Sequence, residues 1–448
     1  MSSTISKSGI ASGRLDSEQY KNVFADLHAP LSPHEALVEA DRCYFCYDAP
    51  CQTACPTDID IPLFIRQIST KNPLGAAKTI FDKNIMGGMC ARVCPTEILC
   101  EEVCVREEAE GKPVKIGLLQ RYATDTAMQA NQQFFKRGPV TGKSVAIIGS
   151  GPASMACAHR LVMFGHDVKI FEARQKSGGL NEYGIAAYKT VDDFAQRELD
   201  YILQIGGIGV ENGKMLGRDV FLEELTKEYD AVFIGVGLGE TNSLGIKNED
   251  ADGVIDAVDF IGEVRQSKDL SRVEIGRNII VVGGGMTAID AAIQARLLGA
   301  QNVTICYRRG PEQMGASKFE QDLATSKGVM IRHWLAPKKI LTKKGRVRGL
   351  KMQYTRLVGD RLEKTGEKIS LEADQIFVAI GQRLDTGPLG KLEISNARIK
   401  TDEEGKTSMA KVWAGGDCIE GGEDLTVTAV ANGRDAAISI NQTLSAGE

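Results

Sequence analysis

Between Lys143 and Arg174 the chain reads KSVAIIGSGPASMACAHRLVMFGHDVKIFEAR, and few folds can accommodate such a stretch. Val145 to Ile148 are apolar and largely β-branched, which suits a strand buried on both faces. Gly149, Gly151 and the small Ser154 follow as a G-x-G-x-x-small turn. Met155 to Phe164 read as a helix stopped by Gly165, and Val168 to Phe171 as a second strand. Glu172 ends that strand, twenty-three residues after Gly149. Strand, turn, helix, strand and acid in this order make a dinucleotide fingerprint. The glycines let backbone approach a pyrophosphate, the helix N-terminus faces its charge, and the acid binds a ribose hydroxyl.

The pattern recurs. Asn278 to Arg309 runs as a strand (NIIVV), a Gly283-Gly284-Gly285-Met286-Thr287-Ala288 turn, a helix ending near Gly299 and a second strand (VTICY). Here the position of the acid is Cys306, and Arg308 and Arg309 follow. A missing acid beside two arginines suits a ribose carrying a 2′-phosphate; a solvated basic loop is the alternative. Two further buried strands end in glycine, Ala231–Gly237 and Asp374–Gly381. A last one, Val412–Gly416, runs into Asp417 and a helix from about Leu425. The crossing order implies a flavin domain interrupted by a nicotinamide domain, with FAD on the unit that has the acid and the terminal AGGD segment.

Upstream, cysteine dominates. Eight of the eleven cysteines lie between Cys43 and Cys104. In a chain whose polar first residues show no signal-peptide core, that density points to metal rather than disulfides, and to a cytoplasmic location. The first twenty residues or so read as a flexible arm. Ser32-Pro33-His34-Glu35 is a helix start with N-cap serine, proline in the first turn and glutamate at N3; Asn72-Pro73 is another start. Between and after them stand Cys43-x2-Cys46-x4-Cys51-x3-Cys55-Pro56 and Cys90-x3-Cys94-x5-Cys100-x3-Cys104. Zinc knuckles come as paired C-x2-C, and only one occurs here; a tight four-cysteine run ending in Cys-Pro resembles two-cluster ferredoxins. Two [4Fe–4S] clusters are therefore expected, with zinc or reactive thiols as alternatives. A helical stretch within 111–133 leads to a linker, Arg137–Gly142.

The net charge of −5 argues against nucleic acid as a partner, and no apolar run is long enough to span a membrane. The five histidines (28, 34, 159, 166 and 333) are scattered and read as structural or solvated. The expected fold is an α/β flavoprotein with two dinucleotide-binding domains and an N-terminal α-helical iron–sulfur domain. The expected boundaries are 1–140 for two clusters, 141–253 and 385–448 for FAD, and 254–384 for NAD(P).

GSGPAS, GGLNEYGI, VVGGGMTAIDAA, YRRG, AGGDC and DLTV occur in one order across the chain. In this it resembles the flavin and iron–sulfur electron-input module shared by dihydropyrimidine dehydrogenases and the small subunit of glutamate synthase, from about Pro33 to the C-terminus. The resemblance implies one cluster on Cys43, Cys46, Cys51 and Cys104. It implies a second on Cys55, Cys94, Cys100 and the amide of Gln120. Counting cysteines alone would instead put Cys90 in that last place.

For FAD the resemblance implies Gly149, Ser150, Gly151, Pro152, Ala153, Glu172, Gly179, Leu180, Lys189 (usually Arg in the family), Asp417 and Thr426. The helix near Thr426 would aim its N-terminus at the flavin pyrimidine edge. For NADP or NAD it implies Gly283, Gly284, Gly285, Met286, Thr287, Arg308, Arg309, Ala379, Ile380 and Gly381. No side chain is assigned a catalytic acid–base role, because the cofactors carry the chemistry: hydride from nicotinamide to flavin, then single electrons through the clusters.

The mammalian dihydropyrimidine dehydrogenases carry an FMN-bearing barrel for which nothing here has a counterpart. Uracil or thymine reduction is therefore expected on an FMN-containing partner in a hetero-oligomer. Service to glutamate synthase or another reductase, and a non-catalytic redox sensor, are the rival readings. The isolated downstream cysteines Cys157, Cys306 and Cys418 form no C-x-x-C relay.

Overall fold

The computed structural model describes residues 13–446. Two compact units divide the chain. One comprises His28–Glu182, Asp192–Gly239 and Leu384–Glu448; the other takes the residues up to Leu27, Tyr183–Val191 and Glu240–Arg383.

The first unit opens with short helices whose starts are written in the sequence. Ser32 caps Pro33–Ala40: its Oγ accepts from Glu35 N at 3.3 Å while Glu35 accepts from Ser32 N at 2.8 Å. Asn72 caps Pro73–Lys83. Ile61–Ser69 buries Ile61, Phe64, Ile65 and Ile68, an i, i+3, i+4, i+7 stripe, and Ile116–Gln129 buries Leu119, Ala123 and Ala127. These side chains pack in one continuous core with Val145, Ile147, Leu161, Ile170 and Phe233 of the α/β fold that follows. The cysteine-bearing helices and the first dinucleotide fold thus share a core, and residue 140 marks a change of architecture within it.

That fold is a five-stranded parallel sheet in the order Val412–Ala414, Ala231–Ile234, Ser144–Ile148, Asp167–Glu172, Ile208–Asn212. The connections run one way from Ser144–Ile148 to Ile208–Asn212. The last two strands then add on its other side, so a crevice opens where the order reverses, at the C-terminal end of Ser144–Ile148. Gly149 stands there with φ of +88°, and a Cβ on it would lie 2.5 Å from the carbonyl oxygen of Gly235.

The second unit repeats the device. Its parallel sheet has the order Val254–Asp256, Gln375–Ala379, Asn278–Gly283, Asn302–Cys306, Met330–Arg332. Gly283 occupies the switch point, with a Cβ position 2.1 Å from Ala379 O. A three-stranded antiparallel sheet (Leu335–Lys343, Arg346–Val358, Arg361–Glu372) that the sequence reading did not anticipate lies against its outer face.

The expected N-terminal arm is ordered where it is described. Ser17–Val23 is a helix with an Asp16/Gln19 capping box, and the buried Tyr20 hydroxyl donates to Leu298 O at 2.9 Å. Arg14 donates to the carbonyls of Leu298, Leu270 and Val273. Residues 1–12 of that arm lie outside the described residues. Among the described residues no helix is long and apolar enough to cross a membrane.

The switch-point contact makes a direct prediction. Gly142 (φ +73°) has no atom within 4 Å of its Cβ position, whereas Gly149 has a backbone carbonyl in the way. Gly142→Ala should cost about 1 kcal/mol of backbone strain. Gly149→Ala should cost about 1–3 kcal/mol more through overpacking, both read by urea denaturation.

Candidate functional site

Three segments of the first unit meet at the Gly149 turn. Gly151 precedes the helix Pro152–Met163, whose N-terminus no side chain caps, so its first-turn N–H groups face the crevice mouth. The turn Gly178–Leu180 approaches from one side: a Cβ on Gly179 would lie 2.8 Å from Gly151 Cα. The Gly416 turn closes from another, its Cβ position 3.2 Å from Ala153.

Glu172 holds the turn. It accepts from the Ser150 N–H (2.9 Å) and hydroxyl and from Arg174 N (2.7 Å). Asp417 follows the last strand, and its carboxyl is pushed up to about 7, by burial first and by the nearby Asp424 next. Thr426 begins the helix Thr426–Ser445, also without a side-chain cap, and donates to Asn181 Oδ1 at 2.9 Å. Asn181, which sequence reasoning missed, is buried, and its Nδ2 has no hydrogen-bond partner. An orphaned donor at such a cradle fits a bound polar group.

The eight clustered cysteines line two cavities of this unit. The first is walled by Cys43, Cys46, Cys51 and Cys104 with Ile61, Ile65 and Ile116. Cys55, Cys90, Cys94, Cys100 and Gln120 wall the second, with Ile61, Ile116 and Val427. Burial pushes three of these thiols up, Cys51 to about 12 and Cys94 and Cys100 well above the usual range, which favours their neutral form, so a metal binding there must displace their protons.

Among the described residues no three His, Cys, Asp or Glu side chains converge to hold a single metal ion. Thiols spaced around a cavity suit a larger group than one tetrahedral zinc ion. Gln120 Nε2 donates to Gly87 O at 2.7 Å, which leaves Oε1 as the amide's lone-pair donor.

In the second unit Gly285 precedes the uncapped helix Met286–Leu297, with Thr287 in its first turn. The Tyr307 ring covers Gly284, and its hydroxyl donates to Gln313 O. The Arg308 side chain is exposed and that of Arg309 half-buried, while their carbonyls are tied down by Thr355 and Trp334. Asn242 pins the glycine turn after Gln375–Ala379, donating to Gly381 O (3.0 Å) and Ile380 O (3.3 Å).

Against this geometry stand three comparisons. A family model described as pyridine nucleotide-disulphide oxidoreductase matches residues 143–433. The chain belongs to that family. A second model, described as dihydropyrimidine dehydrogenase domain II, 4Fe-4S cluster, matches residues 19–132. The NAD-dependent dihydropyrimidine dehydrogenase subunit PreT of Escherichia coli (strain K12) is 34% identical over 424 residues, covering 95% of this chain and 98% of that one. The glutamate synthase [NADPH] small chain of the same organism is 34% identical over 448 residues, covering 93% of each. Among solved structures, FprA of Mycobacterium tuberculosis in complex with NADPH is similar in fold, with a TM-score of 0.58, 21% identity, and 69% of this chain and 86% of that one covered.

This pyridine nucleotide-disulphide oxidoreductase is thus an NAD(P)H-dependent flavin enzyme with a 4Fe-4S domain.

Two buried ionisable residues have partners or surroundings that the sequence does not announce. Lys189, expected at FAD, lies in the second unit, where Nζ pairs with Asp290 at 2.8 Å and Glu320 at 2.7 Å. Burial alone would lower its ammonium, but the two carboxylates overcome this and hold it above the usual lysine range. Glu198, in the first unit, is fully buried beneath the cysteine-bearing helix Gly87–Val93, accepting from Met89 N at 2.9 Å. Burial pushes its carboxyl up to about 8, against the opposing pull of the Met89 N–H and Arg92.

A carboxyl with a raised native pKa binds its proton in the folded state where the unfolded chain has lost it. Its stabilising contribution is present at low pH and is lost as pH rises from about 4.5 to 8. Glu198→Gln, which mimics the protonated form, should flatten the fall in stability over that window by up to about 1.4 kcal/mol per pH unit, as read by denaturation at pH 5 and pH 8.

Proposed function

We propose that the chain is the electron-input subunit of a dihydropyrimidine dehydrogenase. It would oxidise NADPH or NADH on FAD and feed two [4Fe–4S] clusters that supply an FMN-containing partner, which converts uracil or thymine to the 5,6-dihydropyrimidine. When bound, the flavin accepts hydride from the nicotinamide and releases electrons one at a time to the clusters.

One observation carries this reading: the three sites of the first unit share walls. Thr426 bonds Asn181 at the flavin cradle, and its neighbour Val427 lines the second thiol cavity. Ile61 and Ile116 line both thiol cavities. Cradle, second cavity and first cavity therefore form a continuous series inside one core. The first cavity is the open end. Its cysteines are half-buried, and Tyr44, Tyr47, Val103 and Val105 beside them are exposed. Large apolar side chains left in water around a redox site suit a partner surface.

The residues divide the remaining work. Gly149 to Ala153 and the helix behind them would receive the FAD pyrophosphate. Glu172, already held by Ser150 and Arg174, would accept ribose hydroxyls. Gly179, Leu180 and Asn181 would flank the flavin, with Asp417 beside the ribityl chain and the Thr426 helix end favouring negative charge on the reduced ring. Cys43, Cys46, Cys51 and Cys104 would hold one cluster; Cys55, Cys94, Cys100 and Gln120 the other. In the second unit Gly283 to Thr287 and Ala379 to Gly381 would bind the nicotinamide cofactor, and Arg308 and Arg309 its 2′-phosphate.

The second reading, service to a glutamate synthase, rests on the equal identity to that enzyme's small chain. A co-purifying glutaminase-type large chain would decide for it.

The anaerobically isolated chain should contain one FAD and about eight irons, the sum of two cubane clusters. It should reduce ferricyanide with NAD(P)H and leave uracil untouched, and should interconvert uracil and 5,6-dihydrouracil once joined to the FMN-containing chain that co-purifies with it. Uracil turnover by the homogeneous chain alone would sink the division of labour. For cofactor choice, replacing Arg308 and Arg309 together by alanine should weaken NADPH by roughly 2–4 kcal/mol, the worth of two charge-assisted contacts, and hardly change NADH, as read from KM for each.

A further inference from the structure

The second thiol cavity has more donors than a cubane has irons. Four cysteines and one glutamine line it: Cys55, Cys90, Cys94, Cys100 and Gln120. Cys90 belongs to this group by position and not merely by proximity in sequence. It lies on the helix Gly87–Val93, and Cys94 caps that helix one turn on. Gly87, Cys90 and Cys94 recur at i, i+3 and i+7, so they share a helix face. Gly87 O, which accepts from Gln120 Nε2, opens along the helix toward the turn that carries Cys90. The Gln120 amide and the Cys90 thiol therefore line the same cavity, tied to the same helix. Both are sealed from solvent, with 8% and 2% of their surface exposed.

We propose that Cys90 is a reserve ligand of the second cluster, able to replace Gln120 at the same iron. The inference rests on the two-cluster reading above. In the exchange the Cys90 thiol gives up its proton to water, and an Sγ–iron bond forms as the Oε1–iron bond breaks. No electron moves. The neutral amide oxygen is the weaker donor to iron, and a thiolate is the usual one, so loss of the amide leaves a competent ligand in the same cavity wall. The exchange adds one negative charge at the cluster, which lowers its reduction potential.

The test compares wild type, Cys90→Ala, Gln120→Ala and the double variant in the full chain, purified anaerobically, by iron content, EPR of the reduced protein and potentiometric titration. FAD absorbance reports folding. Gln120→Leu, which keeps the side-chain volume, stands in should the alanine variant lose its flavin.

Cys90→Ala should match wild type. Gln120→Ala should keep about eight irons, with a changed EPR signal and a lower potential for one cluster; the double variant should keep FAD and lose about half its iron. If Gln120→Ala or Gln120→Leu loses as much iron as the double variant, Cys90 cannot take over and the proposal fails. Loss of iron from Cys90→Ala alone also overturns it, because Cys90 would then be a resident ligand. The wild-type count reports separately on the two-cluster reading: about four irons or none would refute that reading, and the reserve ligand with it.

Discussion

Each sheet is organised by one close approach between neighbouring parallel strands. At the end of the central strand the chain must leave the sheet before the next strand's backbone blocks it. In the first unit Gly149 turns away against Gly235, and in the second Gly283 turns away against Ala379. A side chain at either place would meet a carbonyl oxygen at 2.1 to 2.5 Å. The same turn presents an uncapped helix N-terminus to the crevice, so the steric requirement and the binding of a phosphate group fall on the same few residues.

Around the first of these turns the core is continuous with that of the cysteine-bearing helices. Shared packing puts the same side chains, Ile61 and Ile116, in the walls of both cavities, while Val427 lines the second. Apolar partitions of that kind exclude water and hold redox groups at short, constant separation, which a flexible linker would not. Burial is graded along the series, from the enclosed Cys90 and Cys100 to the half-exposed thiols of the first cavity. On the proposed reading the protein's contribution to the chemistry would be positional, the cofactors carrying the hydride and electrons.

Much of this was legible in the linear sequence because it depends on local rules. Glycine turns after β-branched strands, the Ser32 and Asn72 caps and the Cys-Pro run each state their structure within a few residues, and the strands and helices they announce appear within two or three positions of their expected ends. The antiparallel sheet of 335–372 was not legible. Its outer strand is exposed along most of its length and therefore carries no apolar alternation to betray it. The helix Ser17–Val23 hid for a similar reason: it buries Tyr20 alone, and its anchor, Leu298, is far away in sequence.

Sequence by itself determined the two dinucleotide folds, the metal-rich character of the first hundred residues and the order of the pieces, because periodicity, caps and turn glycines act between neighbours along the chain. Tertiary structure alone decided how the cysteines are apportioned between two cavities and that Gln120 and Cys90 both line the second. It also committed Lys189 to Asp290 and Glu320, and left Glu198 buried under the Gly87–Val93 helix. The Lys189 and Glu198 outcomes depend on groups more than a hundred residues apart meeting in a low-dielectric interior, and the cavity linings on residues tens of positions apart, where the cost of burying a charge or an unmade hydrogen bond selects the partner. Nothing in the local pattern of residues carries that information.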